Sequence, residues 1–339
     1  MAQLGSVLVI RLSSLGDVLF AVPAVQELLR SGLAERVSWL VEDRAAGLVR
    51  RVPGLDQVVV FPRRSPAAWP GHVRRLRARR DDLVLDFQGN LKSRAQRACL
   101  TAPRKLGFDR PLAREGAWRG LTEALLPPRS ARHRVASNLA LLAPLGIRPP
   151  SPPPRPQLAL PDEAHAEARR LAADLDGGGP LVVLHPGTSG FGALKRWDPE
   201  RFAALGEALR REHDARVAVS AGPGEEPLAD AVVRGMPSRG SVVRPGSLDG
   251  LAALLGAADL VVAADSLPLH LANATGTPVV GLYGPKDPAV TGPAWDRSRV
   301  VRSGVACSPC SLRRCADRLC MRRLTTDAVL AAARELLAP

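Results

Sequence analysis

Aromatic side chains make up 4% of this 339-residue chain, and only one of them is Tyr. Proteins that hold single-stranded nucleic acid without sequence preference stack bases on aromatic platforms, so the composition argues against that class. Long apolar runs are also missing. The longest candidate, "LAALLGAADLVVAADSL", is broken by Asp259 and Asp265, whereas a membrane-spanning helix needs about 18 or more apolar residues. The first apolar stretch contains Arg11 and is followed by no small-residue cleavage pattern, so no secretory signal is read. Five Cys without such a signal argue against a disulfide-stapled secreted scaffold and point to a reducing cytoplasm.

Acidic residues are outnumbered, 33 against 47 Lys and Arg, which leaves a net charge of +14. A surplus of this size suits nucleic acid, an anionic membrane surface or acidic substrates. The densest basic run, "HVRRLRARR" at 72–80, reads as a solvated helix face. A hydrophobic fraction of 46% with 24% charged residues is that of a folded globular protein.

The apolar residues come in short, nearly continuous runs separated by helix-like segments. Strands are predicted at 7–12, 37–41, 57–61, 82–87 and 105–108, then at 181–185, 216–220, 241–244, 259–263 and 278–283. Val- and Leu-rich runs of this kind belong to parallel strands buried on both faces, and the alternation implies βαβ units. Between the two sets lies "RPPSPPPRPQ" (148–157), with six prolines in ten residues, a stiff spacer that neither a helix nor a central strand can hold. The expectation is an α/β protein of two doubly wound domains, residues 1–150 and 151–324. A final helix at 325–338 is expected to pack back on the first domain. Ligands of such sheets bind outside the carboxyl ends of the strands, which places the expected site in a cleft between the domains.

Four stretches at strand ends carry polar groups suited to chemistry. "SSLGD" follows the first strand, so Asp17 is either a first-turn helix acid or a reactive carboxylate. The stretch lacks G-x-G-x-x-G, so dinucleotide binding there is not supported. "PGTSGFGALKRW" (186–197) follows the first strand of the second half. Its small residues suit a phosphate cradle to which Lys195 adds charge. "ADSLPLHLANATG" places Asp265, Ser266 and His270 at a strand end that leads into a helix N-terminus, where anions are favoured. "CSPCSLRRCADRLC" holds Cys307, Cys310, Cys315 and Cys320, weak candidates for a zinc site because the spacing is not one of the usual zinc patterns.

Taken together, "SSLGDVLFAVPA", "DFQGNLKSR" (86–94), "HPGTSGFGALKRW" and "ADSLPLHLANATGTPVVGLYGP" resemble the ADP-heptose:lipopolysaccharide heptosyltransferases of glycosyltransferase family 9. The match runs through nearly the whole chain in the family's order, and "SSLGDVLFAVPA" is nearer in wording to members that add the first heptose. The resemblance implies a GT-B fold, two Rossmann-like domains around a cleft. It implies an inverting transfer of heptose from ADP-heptose to the Kdo-bearing inner core of lipopolysaccharide, with no metal or other cofactor required. Asp17 matches the family's proposed general base, and Lys195 the lysine that pairs with the donor diphosphate. Thr188 and Ser189 match hydroxyl residues of the same phosphate loop. Asp265, Ser266 and His270 match the D-[ST]-G-x-x-H segment of the nucleotide site. Glu225 or Glu226 resembles the acid that binds the ribose, and Arg63, Arg64 and Arg114 stand where members place basic residues for the acceptor. The sequence departs from the family at Leu267, where members have Gly, so a left-handed backbone there would be strained. An acceptor carrying carboxylates and phosphates in an anionic leaflet accounts for the surplus of Arg. The expected location is cytoplasmic, peripheral on the inner membrane, with no specific nucleic-acid partner. Two other readings stay open: a GT-B enzyme for another nucleotide sugar or glycan, and a basic nucleic-acid-binding protein on a transferase-like scaffold.

Overall fold

The computed structural model describes residues 3–238, 240–310, 312 and 314–338. The chain divides into two compact units, Met1–Ala159 and Leu160–Pro339. In the first, β1 (Leu4–Ile10), β2 (Ala34–Glu42), β3 (Gln57–Phe61), β4 (Leu83–Asp86), β5 (Arg104–Phe108) and β6 (Glu123–Leu125) alternate with α1 (Leu15–Arg30), α2 (Ala46–Arg50), α3 (Trp69–Ala78), α4 (Leu91–Ala98) and α5 (Arg134–Ala140). The sheet order is β3-β2-β1-β4-β5-β6, with parallel pairing throughout. The order reverses between β1 and β4, and their carboxyl ends form the crevice where ligands of such sheets bind.

The second unit repeats the plan. It holds α6 (Asp162–Ala173), β7 (Leu181–His185), α7 (Pro199–His213), β8 (Arg216–Ser220), α8 (Glu226–Arg234), β9 (Ser241–Val243), α9 (Leu248–Ala257), β10 (Leu260–Ala264), α10 (Leu267–Thr275), β11 (Val279–Leu282), α11 (Pro288–Thr291), β12 (Ser298–Val301), α12 (Leu319–Arg322) and α13 (Thr326–Leu337). Its order, β12-β11-β10-β7-β8-β9, puts the reversal between β7 and β10. All residues of both strands are buried, as strands covered on two faces require. The α/β, two-Rossmann-domain class expected from the sequence is therefore the class observed.

Two expectations need correcting. The unit boundary falls at Ala159/Leu160 and not at 150/151. The proline-rich segment stays with the first unit because Gln26 and Gln157 exchange two hydrogen bonds (2.8 and 3.1 Å) and Ala159 N–H donates to Arg51 O at 2.7 Å. Helix α13 packs against α7 and β10–β12 of its own unit. Arg334 of α13 is paired with Glu212 of α7 at 2.8 Å, and Thr325 caps the helix, its side chain accepting from Ala328 N. Two edge strands, β6 and β12, were not predicted. Both are short and only partly buried, so they lack the apolar run that marks a central strand.

Candidate active site

Asp17 is the third residue of α1, so its carboxylate reaches back over the helix start. Its Oδ2 accepts from Ser14 Oγ at 2.9 Å and from Ser14 N at 3.4 Å. The capping reading is thus correct as local structure. The remaining oxygen, Oδ1, lies 2.9 Å from Arg11 Nη2 at the end of β1. Burial alone would raise the Asp17 carboxyl. The charges of Arg11 and Arg134 and the bonds from Ser14 outweigh it and hold the carboxyl below its ordinary value. Asp17 is therefore both a capping residue and an ion-pair partner of Arg11, a half-buried carboxylate at the sheet's reversal point.

The loop after β4 completes this end of the first sheet. Gln88 Oε1 accepts from Leu12 N and Ser13 N (3.0 and 3.2 Å), which locks the loop before Asp17. Gln88 is itself aimed by Asp86, whose Oδ1 accepts from the N–H groups of Gln88 and Gly89. The other oxygen of Asp86 pairs with fully buried Arg97, which donates onward to the carbonyls of Ala117 and Arg119. Position 89 suits glycine through its φ of +64°, a left-handed backbone that other residues rarely adopt.

Lys92 joins Ser13 Oγ (2.9 Å) to buried Glu42 at the end of β2 (2.7 Å), and Glu42 also takes Arg63 at 3.2 Å. Of the expected acceptor arginines, the fold thus ties Arg63 to this network. Arg64 is exposed on the turn after β3. Arg114 is exposed, held by its backbone N–H on Gly89 O at 2.9 Å. Arg11, Glu42, Asp86, Gln88, Lys92 and Arg97 were not singled out from the sequence. The signals were present: a charge inside an apolar run for Arg11, and the quoted "DFQGNLKSR" for three of the others.

The second sheet gathers its polar groups the same way. From the loop after β7, Lys195 Nζ lies 3.0 Å from Asp265 Oδ2 and also donates to the Asp265 carbonyl. His270 Nε2 faces Asp265 Oδ1 at 3.1 Å, and Tyr283 OH donates to the same oxygen at 3.3 Å. Burial would raise the Asp265 carboxyl. The His270 bond and the Lys195 charge hold it instead well below the usual carboxylate range. Burial, then the charge of Asp265, pushes the Tyr283 phenol far up, so it stays a donor. Ser266 is the N-cap residue of α10, and its buried Oγ has no hydrogen-bond partner among the described residues. Leu267 is not among the left-handed residues. It begins α10 as an ordinary helical residue, so the expected strain does not arise.

Between Glu225 and Glu226 the structure makes a distinction. Glu225 Oε2 lies 3.3 Å from His185 Nε2 and accepts from Gly222 N at 3.0 Å. His185 Nδ1 meets Ser220 Oγ at 2.9 Å, which leaves Nε2–H to point at the carboxylate. Burial would raise Glu225, and the His185 bond brings it below its ordinary value. A Cβ on Gly187 would run into that carboxylate, so the carboxylate keeps this place only beside a glycine. Glu226 stands apart in the first turn of α8. Thr188 is buried and takes Arg196 on both Oγ1 (3.2 Å) and its carbonyl (2.8 Å), while Ser189 is exposed. The thiols of Cys307, Cys310 and Cys315 lie near enough to Cys320 to act on it: burial, then Cys307 and Cys310, push its thiol up. Cys307 and Cys315 are exposed and Cys320 is buried. Among the described residues no three His, Cys, Asp or Glu side chains are placed to hold a metal ion.

Each unit thus carries polar groups at its reversal point: a carboxylate held by arginine in the first, a lysine beside a helix N-terminus in the second. A family model for glycosyltransferase family 9 (heptosyltransferase) matches residues 70–320. The chain belongs to glycosyltransferase family 9. The lipopolysaccharide heptosyltransferase 1 of Pseudomonas aeruginosa is 29% identical over 323 residues, covering 91% of this chain and 87% of that protein. The lipopolysaccharide core heptosyltransferase OpsX of Haemophilus influenzae is 26% identical over 304 residues, covering 87% and 84%. Among solved structures, the E. coli heptosyltransferase WaaC with ADP matches at a TM-score of 0.74 and 26% identity, covering 98% of this chain and 99% of that one. A family 9 glycosyltransferase from Veillonella parvula matches at a TM-score of 0.82 and 21% identity, a likeness of fold. As a member of family 9 the protein is a glycosyltransferase of the GT-B class. No helix among the described residues is long and apolar enough to cross a membrane.

Proposed function

We propose that this family 9 enzyme transfers heptose from ADP-heptose to a Kdo-bearing inner-core precursor of lipopolysaccharide, inverting the anomeric centre. One observation carries the reading: each sheet's reversal point holds a group that the reaction needs, Asp17 in the first and Lys195 in the second. The acceptor hydroxyl oxygen forms a bond to the anomeric carbon of the donor. The bond from that carbon to the diphosphate breaks, its electron pair leaves with ADP, and the hydroxyl proton passes to Asp17. Lys195, Ser266 and the N-terminus of α10 receive the charge that grows on the diphosphate. Lys195 thereby supplies the positive charge that a divalent cation supplies elsewhere, and the reaction so written needs no metal. Glu225, aimed by His185, takes the ribose hydroxyls.

The acceptor is anionic, and Arg63, Arg64 and Arg114 are the side chains that meet it. Helix α3 exposes Arg74, Arg75 and Arg77, a face that suits the anionic cytoplasmic surface of the inner membrane at about 1 kcal/mol per basic residue. Likeness to heptosyltransferases over most of the chain favours ADP-heptose over other nucleotide sugars.

The test is a transfer assay with Kdo-bearing lipid A and a panel of ADP-, UDP- and GDP-sugars, read by product mass. Heptosylated lipid from ADP-heptose alone is expected. Turnover with another donor, or steep salt-dependent RNA binding without ADP binding, would replace this reading.

A further inference from the structure

Arg11 is an unusual residue for the end of a central strand. It follows Ile10 in the interior of the first unit and is 5% exposed. Its backbone is pinned on both sides: the N–H donates to Leu40 O at 3.2 Å, and the carbonyl accepts from Nε1 of fully buried Trp39 at 3.2 Å. The guanidinium spans two elements, donating through Nη1 to Phe87 O beyond β4 and through Nη2 to Asp17 Oδ1 in α1 at 2.9 Å. Its Nε is buried with no hydrogen-bond partner among the described residues. A buried charge with one donor unmet is costly, and an apolar side chain would fill such a place at no such penalty. Stability therefore does not explain an arginine here, and its contact with Asp17 does.

We infer that Arg11 is a positioning residue for the transfer reaction: its guanidinium fixes the orientation of the Asp17 carboxylate and sets how strongly that carboxylate takes a proton. The inference rests on the reading of Asp17 as the general base. With Oδ1 committed to Arg11, the carboxylate cannot rotate freely about its side chain, and Oδ2, which bonds Ser14 at the exposed helix start, is the oxygen left for a hydroxyl. Arg134 of α5 adds a second positive charge, felt by both Asp17 and Arg11, and Asp86 at the end of β4 offsets part of the charge on Arg11. Lys92 of α4 reaches Ser13 beside them. A carboxylate held among these cations stays ionised, and it takes the proton only once the acceptor oxygen has largely bonded to the sugar. That timing suits a reaction whose positive charge builds first on the sugar ring.

The test follows kcat against pH for the wild type, Arg11→Gln, Arg11→Lys and Asp17→Asn, together with a carbon-13 NMR titration of the Asp17 carboxyl. Loss of the arginine charge is expected to move the acid limb of the profile up by at least about one pH unit. Arg11→Lys is expected to keep the limb near its wild-type position, since the charge returns while the two-element span does not. A fall in rate with the limb unmoved in Arg11→Gln would mark a merely structural residue and overturn the inference. Full activity in Asp17→Asn would remove the base reading, and the titration then decides the Arg11 claim separately. In the wild type the carboxyl is expected below the ordinary value of about 3.9. A value at or above that ordinary one overturns the claim even if Arg11→Gln does not fold.

Discussion

Lys195 and Asp265 form one unit: the lysine of the loop after β7 binds the side chain of Asp265 at 3.0 Å and the carbonyl of the same residue at the end of β10. The two strands flank the reversal point of the second sheet. The ammonium is thereby aimed by two oxygens, and under the proposed function a donor diphosphate has to share it with them.

Lys195→Met is expected to lower kcat by about 10²- to 10³-fold, the usual loss when one preorganised donor to a developing negative charge is removed. ADP affinity should fall less. Steady-state kinetics beside calorimetric ADP binding separate the two effects, and an unchanged kcat would take Lys195 out of the chemistry.

Asp17→Asn keeps the size of the side chain and its bond to Ser14 but removes the proton acceptor. Turnover should fall by about 10²-fold or more, while ADP binding, which draws on the second unit, stays close to the wild-type value. A stopped-time transfer assay and a binding isotherm check both halves of this expectation.

The depressed Asp265 carboxyl makes a stability contribution with a definite sign. In the unfolded chain an aspartate takes up its proton near pH 3.9, and in the folded protein Asp265 does so at lower pH. The contribution is therefore complete above about pH 4 and disappears as the pH falls through the folded value. The Tm gap between the wild type and Asp265→Asn should be widest near neutrality and narrow below about pH 4. A gap that widens on acidification would contradict the pairing.

Arg97→Met leaves Asp86 buried without its cation. Such a break costs about 3–5 kcal/mol, measurable as a shift in the denaturant midpoint. Adding Asp86→Leu should not restore the loss, because the N–H groups of Gln88 and Gly89 then lose their acceptor.

Gly187→Ala tests the Glu225 clamp. The new Cβ displaces the carboxylate from its place over the loop. Loss of one charged hydrogen bond to the ribose should raise the donor KM by about tenfold or more. Little change is expected in Tm or kcat. A donor with a 2′-deoxyribose should then show a much smaller difference between wild type and variant.

The sequence by itself determined the two-unit α/β plan, most of the strands and the strand-end placement of the chemical groups. Buried parallel strands must be nearly all apolar, and a polar residue that ends such a run sits at the sheet's edge. β3, β7 and β8 have the bounds read from the chain because their apolar runs are ended by turn or polar residues. Asp17, Lys195, Asp265 and His270 were legible for the same reason. Only the tertiary structure decided who holds them. Arg11 with Asp17 is six residues away in sequence but depends on Trp39 and Phe87; Lys195 with Asp265, His185 with Ser220, and Glu42 with Lys92 join residues of different elements far apart in sequence. Local periodicity carries no record of such pairs, because parallel strands bring their carboxyl ends together only when the crossovers between them have closed. The same distance explains the misplaced boundary: the bonds of Gln157 to Gln26, 131 residues apart, exist only once the first unit has folded.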